Sequence, residues 1–159
     1  MIQRLLAAYR RWTDLNIERV YKTMDAAVAQ LRRESEQNAQ NAENGPGDPP
    51  AMNELTAEAM EDAERLLAMK GEKNWDGLFR EMHEYLAKIH MELQQYDEAL
   101  EQARYVTEYD RHEGEYLKKQ IEAHRRGERL EDYEAGGADE TDGDTDSVDM
   151  DGTETGSDI

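Results

Sequence analysis

Residues 81–111 of the chain read EMHEYLAKIHMELQQYDEALEQARYVTEYDR, and this stretch decides the fold class. Apolar side chains recur at steps of three and four on both sides of a short polar turn at Gln94–Tyr96, as they do on two amphipathic helices. The helix before the turn carries Phe79, Met82, Leu86, Ile89 and Leu93, and the helix after it carries Ala99, Leu100, Ala103, Val106 and Tyr109. The stretch therefore predicts an antiparallel pair of helices.

One further amphipathic helix is predicted on each side of this pair. The upstream helix begins at Asn53, a residue type favoured as an N-cap, and ends at the pair Lys70-Gly71. The downstream helix begins after Asp110, with Glu113 at capping-box spacing, and ends near Gly127; Leu130 and Tyr133 are expected to add one turn. Residues 52–133 are thus predicted to form a four-helix hairpin array, and no stretch alternates as a strand would.

A long N-terminal helix is predicted over residues 1–37, because a stripe at helical spacing runs through it without Gly or Pro. We expect this helix to fray from Gln37 onward. Residues 38–51 hold all three prolines of the chain and are predicted to be a linker. The sequence leaves open whether the long helix packs on the array at 52–133 or acts independently.

The composition is strongly acidic, with 38 Asp and Glu against 19 Lys and Arg among 159 residues, a net charge of −19 and a mean hydropathy of −1.05. Cysteine is absent, which excludes disulfides and thiolate chemistry. No apolar run is long enough to span a bilayer and no secretory signal is visible, so a cytoplasmic protein is expected. Residues 134–159 are low-complexity and acidic, and are predicted to be a disordered tail.

The balance of basic residues favours a halophilic source. Lysine occurs six times and arginine thirteen times, within a surface rich in Asp and Glu. Concentrated counter-ions screen the self-repulsion of such a surface, so we expect the protein to work at high salt. An ordinary domain with an acidic tail is the alternative.

The segment from Glu81 to Arg111 resembles a tetratricopeptide repeat, a family whose 34-residue unit consists of two antiparallel helices. The matching residues are Leu86-Ala87, Tyr96-Asp97-Glu98-Ala99-Leu100, Ala103 and Val106. The likeness covers about a fifth of the chain and departs from the family at His83, His90 and Arg111, where aromatic residues and a proline are usual. It implies a scaffold that binds other proteins, often peptides laid in a concave groove, and a generic helix bundle is the alternative.

No constellation for catalysis is evident, so the sequence predicts a protein that is not an enzyme and uses no cofactor. His83 and His90, with Glu84 between them, make a metal site conceivable, but the spacing matches neither the His-Glu-x-x-His pattern nor a di-iron motif. A structural or solvent-facing role is favoured for these histidines. Ser35 stands at a helix end that is expected to fray, so no Ser nucleophile is predicted, and no phosphate loop or small-molecule site is evident.

The most favoured function is a non-catalytic adaptor or assembly factor that binds another protein or a second copy through helix stripes. The candidate partner-binding residues are Ile2, Leu5, Leu6, Tyr9 and Trp12. A small structural component or assembly chaperone of a larger particle, such as a virion, is one alternative. A regulator that contacts nucleic acid or a membrane surface through the basic N-terminal helix is another, although the net charge makes nucleic acid an unfavourable partner.

Overall fold

The computed structural model describes the backbone of residues 2–131 and the side chains of residues 17–131. Five helices follow one another along the chain: α1 (Ile2–Gln40), α2 (Glu54–Leu67), α3 (Asp76–Glu92), α4 (Tyr96–Tyr109) and α5 (Arg111–Arg125). No β-strand occurs within residues 2–131. The predicted all-α class is confirmed, while the predicted tail at 134–159 lies outside the described residues.

Two of the five helices, α2 and α5, begin where the sequence places their caps. The Asn53 side chain accepts a hydrogen bond of 2.8 Å from the backbone N–H of Thr56 and so caps α2. The Asp110 side chain accepts one of 3.1 Å from the N–H of Glu113 and so caps α5. Both predicted N-caps are therefore confirmed, because this signal depends only on residues three positions apart.

The end of α1 differs from the prediction. The helix continues to Gln40, although fraying was expected from Gln37. Asn38 donates a hydrogen bond of 2.8 Å from its Nδ2 to the carbonyl oxygen of Asp48, so the following segment folds back against the helix end. Ser35, expected at a frayed end, is instead 2% exposed. Tertiary contacts thus stabilise a last turn that local propensity does not favour.

Helix α3 runs parallel to α1. The Tyr21 hydroxyl contacts the Glu81 carboxylate, and the Tyr85 hydroxyl donates to Asp25 at 2.5 Å; both pairs are 60 residues apart in the chain. A constant offset between paired positions means that the two helices point the same way. Helix α2 connects the C-terminal end of α1 to the N-terminal end of α3, so it runs opposite to both.

Helix α5 runs parallel to α3 with a similarly constant offset. Arg80 contacts Glu113, 33 residues later, and Glu92 contacts His124, 32 residues later. Helix α4 returns between them in the opposite direction and packs against both. The described residues therefore form two layers: α1, α3 and α5 lie parallel in one, and α2 and α4 lie in the other.

Two apolar clusters hold the layers together. The first joins α1, α2 and α3, with Val20, Met24, Ala27 and Leu31 of α1 all buried in it. This contact answers the question that the sequence left open, because α1 packs on α2 and α3 along the half where its side chains are described. The second cluster joins α3, α4 and α5. Its buried members are Ala87, Met91, Ala99, Ala103, Val106, Leu117 and Ile121.

Small residues set the distance between α4 and α5. A Cβ atom added to Gly114 of α5 would lie 2.1 Å from the Thr107 Oγ1 and 2.5 Å from the Thr107 Cα on α4. Contacts that short do not occur between real atoms, so only glycine fits there. Ala99 and Ala103 of α4 are buried on the same helix, and the second apolar cluster depends on this close approach.

Candidate functional site

A fully buried carboxylate lies where the three parallel helices end. Glu92, in the last turn of α3, is 0% exposed. Burying a carboxylate is expensive unless cations and donors surround it. Arg129 supplies them by binding both oxygens, with Nη1 at 2.8 Å from Oε2 and Nη2 at 2.9 Å from Oε1. The Nε atom of Arg32, on α1, lies 3.8 Å from Oε2. We call the Glu92 carboxylate with its surrounding side chains the Glu92 socket.

The Glu92 socket holds its carboxylate in the ionised form. Burial by itself would raise the pKa of Glu92, but hydrogen bonds and charge from Arg129 and His124 outweigh burial and lower the pKa to about 2. The bidentate geometry is the arrangement in which a planar guanidinium recognises a carboxylate most selectively. The socket is therefore suited to holding one arginine side chain.

His124 connects α5 to this carboxylate. Its Nε2 lies 3.3 Å from the Glu92 Oε1 and 3.4 Å from the Ser35 Oγ, and its Nδ1 lies 2.9 Å from the Tyr96 hydroxyl. A Ser-His-acid triad needs the serine and the acid on opposite ring nitrogens. Here both contact Nε2, and Arg129 already neutralises the acid, so the arrangement does not activate Ser35.

Residues 126–131, which we call the strap, carry Arg129 into the socket. Gly127 turns the chain with a φ of 86° just after α5, a conformation that favours glycine. Farther on, the Glu131 carbonyl oxygen accepts hydrogen bonds from the Tyr116 hydroxyl at 2.6 Å and from the Gln120 Nε2 at 3.1 Å. The predicted additional turn is not present at Leu130, which is non-helical, 37% exposed, and lies between two tethered neighbours, while Tyr133 lies outside the described residues.

A groove of about 470 Å³ opens between α1 and α3 beside the socket. It is lined by Asp25, Val28, Ala29, Arg32, Arg33, Glu36, Glu81, Glu84, Tyr85 and Lys88. Glu36 belongs both to the groove and to the socket, because its Oε2 lies 3.4 Å from the Arg129 Nε. The lining contains four acids and three bases around an apolar strip at Val28, Ala29 and Tyr85.

Glu84 lies on the α5 side of this groove and holds its proton at neutral pH. Burial and a hydrogen bond to Glu113 raise the pKa of Glu84 to about 8, against the opposing charge of Lys88 and Arg80. Lys88 Nζ and Arg80 Nη1 each lie 3.9 Å from the Glu84 carboxylate, and Arg80 contacts Glu113 at 2.5 Å. Burial and Glu113 thus favour the protonated form of the Glu84 carboxyl group where α3 and α5 meet.

His83, one of the two histidines of the conceivable metal site, is buried, and each of its ring nitrogens has a hydrogen-bond partner. Its Nε2 lies 2.6 Å from the Lys70 Nζ, and its Nδ1 lies 2.7 Å from the Gln102 Oε1. An ammonium group only donates, so Nε2 accepts and Nδ1 carries the proton. Burial, together with the charge of Lys70, lowers the pKa of His83. Within the described residues no group of three or more His, Asp or Glu side chains is arranged to hold a metal ion.

The predicted partner-binding residues belong to the first turns of α1, where the backbone is helical. The side chains of these five residues lie outside the described part of the structure. The five residues are Ile2, Leu5, Leu6, Tyr9 and Trp12. The 60-residue offset between α1 and α3 puts Asp76, the first residue of α3, opposite residue 16 of α1. Helix α3 therefore begins beyond these five positions.

The Glu92 socket was missed by sequence reasoning. Ser35 follows Leu31 by four residues and His124 follows Ile121 by three. Both polar residues therefore lie on the same helix face as the apolar residues before them. That spacing indicates an inward-facing position but does not identify the partner. Glu92 gives a weaker signal still, since it stands between Met91 and Leu93 like any charged residue near a helix end.

No protein-family model, curated protein or solved structure matches this chain. The part of the chain that the structure describes contains no helix with the length and apolar character needed to cross a membrane.

Proposed function

We propose that this chain is a non-catalytic adaptor or assembly factor that binds another protein on an array of tetratricopeptide-like hairpins. Support comes from the offset of 32 to 33 residues between α3 and the parallel helix α5, close to the 34-residue period of that family. Helix α4 then corresponds to the second helix of one unit, and α5 to the first helix of the next.

The observation that carries this proposal is the open groove on the layer formed by α1, α3 and α5. Arrays of this kind bind extended peptides on a face lined by parallel helices, and the groove of about 470 Å³ lies on such a face. Its mixture of charged residues and an apolar strip is typical of a surface that recognises a polypeptide.

The first turns of α1 form a second proposed contact surface. The apolar stripe at Ile2, Leu5, Leu6, Tyr9 and Trp12 is the kind of face that docks into a partner. Residues 1–33 carry seven bases against three acids in an otherwise acidic chain, which favours an acidic partner. A component or assembly chaperone of a larger particle would use the same stripe.

Affinity capture at the salt concentration of the source tests the proposal. The full chain, immobilised through its C-terminus, should retain one defined protein from native lysate. The double variant Leu5→Asp/Trp12→Asp should lose that protein, whereas Ala7→Asp on the opposite side of α1 should retain it. Because α1 residues from Val20 to Leu31 belong to the core, point variants replace a deletion of the helix. Capture of the same proteins by all three chains would reject the α1 contact, and binding of nucleic acid that survives this salt would favour the regulator instead.

A further inference from the structure

We propose that the Glu92 socket is the specificity pocket of the peptide-binding face, and that it takes an arginine from an extended segment of the partner protein. This inference rests on the adaptor function proposed above and names the chemistry of its partner. In the structure the chain fills its own pocket, because the strap delivers Arg129 to Glu92.

The chemistry of the socket selects arginine over other cations. A guanidinium presents parallel N–H groups that match both oxygens of a carboxylate, whereas an ammonium is a point charge that cannot span them. Arg129 uses this fork fully, with 2.8 Å and 2.9 Å to the two oxygens of Glu92 and a third contact of 3.4 Å to Glu36. Because the Glu92 carboxylate is 0% exposed, a side chain that does not match its two oxygens leaves it poorly compensated.

The strap is held in the way a separate peptide would be held. Its first residues belong to the cap of α5, where the Gly127 and Glu128 N–H groups donate to carbonyls of α5 at 2.9 Å and 2.8 Å. Beyond them the strap is held by Arg129 and by the Glu131 carbonyl, which accepts from Tyr116 and Gln120. Leu130, between these two anchors, is 37% exposed. Contacts to an arginine and to a carbonyl two residues later are available to many sequences, so they transfer readily from the strap to a partner segment.

The α1–α3 groove gives a partner more surface than the strap uses. Arg32 and Glu36 line both the groove and the socket, so a segment anchored in the socket can continue along the groove. Asp25, Glu81 and Glu84 line it beyond that point, alongside Tyr85 and Val28. The partner segment is thus expected to combine its arginine with apolar neighbours that pack on Tyr85 and Val28.

Competition between strap and partner follows from their shared pocket. A strap tethered to the end of α5 acts at an effective concentration on the order of millimolar. A separate peptide therefore binds the wild-type chain weakly, and it gains affinity when Arg129 is removed. We expect a gain of at least about tenfold for the full-length Arg129→Ala variant.

A defined peptide tests this proposal without any lysate. The probe is fluorescein-labelled GERLE, capped at both ends and corresponding to residues 127–131, with GEKLE as the matched control. Fluorescence polarisation should show GERLE binding to Arg129→Ala, weaker binding to wild type, and loss of binding to Glu92→Gln/Arg129→Ala. Circular dichroism of each chain establishes that it is folded.

Equal binding of GERLE and GEKLE, or binding that survives Glu92→Gln, would overturn the proposal. If Arg129→Ala is not folded, the wild-type chain is examined with excess peptide by hydrogen exchange. Faster exchange at residues 126–131 with GERLE but not GEKLE then supports displacement of the strap, and unchanged exchange rejects it. A failure in this assay while the full chain still captures its partner rejects the pocket alone, whereas a failure of capture with normal peptide binding rejects the adaptor function.

Discussion

Glu92 and Arg129 form a bidentate ion pair across one end of the helix array, although 37 residues separate them in the chain. The pair joins α3 to the segment that follows α5, and Arg32 and Glu36 bring α1 to the same point. Side chains of α1, of α3 and of the segment after α5 thus meet at one carboxylate. Its contribution to stability follows from its burial, because a buried charge without a partner is far more costly than an exposed one.

Replacing Glu92 by Gln should lower the free energy of unfolding by about 3 kcal/mol, because the Arg129 guanidinium loses the carboxylate that it binds through both oxygens. Urea denaturation followed by circular dichroism measures this difference. The control is Glu115→Gln in the exposed Arg111–Glu115 pair, where both side chains are more than half exposed and the effect should stay below about 0.5 kcal/mol. Equal losses in the two variants would contradict the structural role assigned to Glu92.

The same carboxylate makes the protein sensitive to acid. The pKa of Glu92 is lowered to about 2 in the folded chain, so its contribution is fully present above the unfolded value near 4.5. That contribution should disappear as the pH falls from about 4.5 toward 2, where the unfolded chain binds the proton first. The stability difference between wild type and Glu92→Gln should therefore narrow over this range. A difference that stays constant from pH 6 to pH 2 would contradict the lowered pKa.

Glu84 should produce the opposite dependence on pH. Its pKa is raised to about 8 by burial and by Glu113, so between about pH 4.5 and 8 the folded chain keeps a proton that the unfolded chain has released. Stability falls as pH rises through this window. Glu84→Gln cannot ionise, so its stability should match that of wild type at pH 4 and should exceed it by a growing margin as the pH rises from about 4.5 to 8. The exposed Glu61→Gln change on α2 serves as the control. A Glu84→Gln variant whose stability relative to wild type does not increase with pH would contradict the raised pKa of Glu84.

Gly114→Ala should destabilise the protein by about 1 to 3 kcal/mol, because the new methyl group collides with the backbone of Thr107. Gly77→Ala is the matched control, since nothing lies within 4 Å of a Cβ at that helical position. There the change should stabilise by about 0.5 to 1 kcal/mol through helix propensity alone. Thermal unfolding of both variants separates the two effects, and stabilisation by Gly114→Ala would rule out the close approach of α4 and α5.

Salt should stabilise the folded chain if the acidic surface reflects a halophilic source. The net charge of −19 repels itself, and the Debye length falls from about 10 Å to about 3 Å between about 0.1 M and 1 M salt. The free energy of unfolding should therefore rise with KCl concentration. Helicity measured over the same series is the simplest readout. If the chain is fully folded in dilute buffer and its free energy of unfolding does not rise with KCl, an ordinary acidic domain is favoured.

The locations of the five helices and the caps of two of them were accessible from the sequence because both signals are local. A stripe such as Met82, Leu86 and Ile89 needs only the helical repeat, and a cap such as Asn53 needs only its third neighbour. The last turn of α1 was not accessible, because its stability comes from a hydrogen bond between Asn38 and the backbone of Asp48. The extended backbone at Leu130 was not accessible either, because Leu130 continues an apolar spacing along the chain whereas Arg129, its neighbour, binds Glu92 on α3.

The sequence by itself determined the all-α class, the approximate location of each helix and the sign of the net charge. Each of these follows from residues within about one or two helical turns, or from composition alone. Only the tertiary structure decided that α1 and α3 lie parallel, and that Ser35, Glu92 and His124 meet in one buried place. Ser35 and His124 are 89 residues apart, and no local periodicity carries information about a contact over that distance. Such contacts form when apolar helix faces pack together and bury the polar side chains next to them. These buried side chains then need hydrogen-bond partners within the protein.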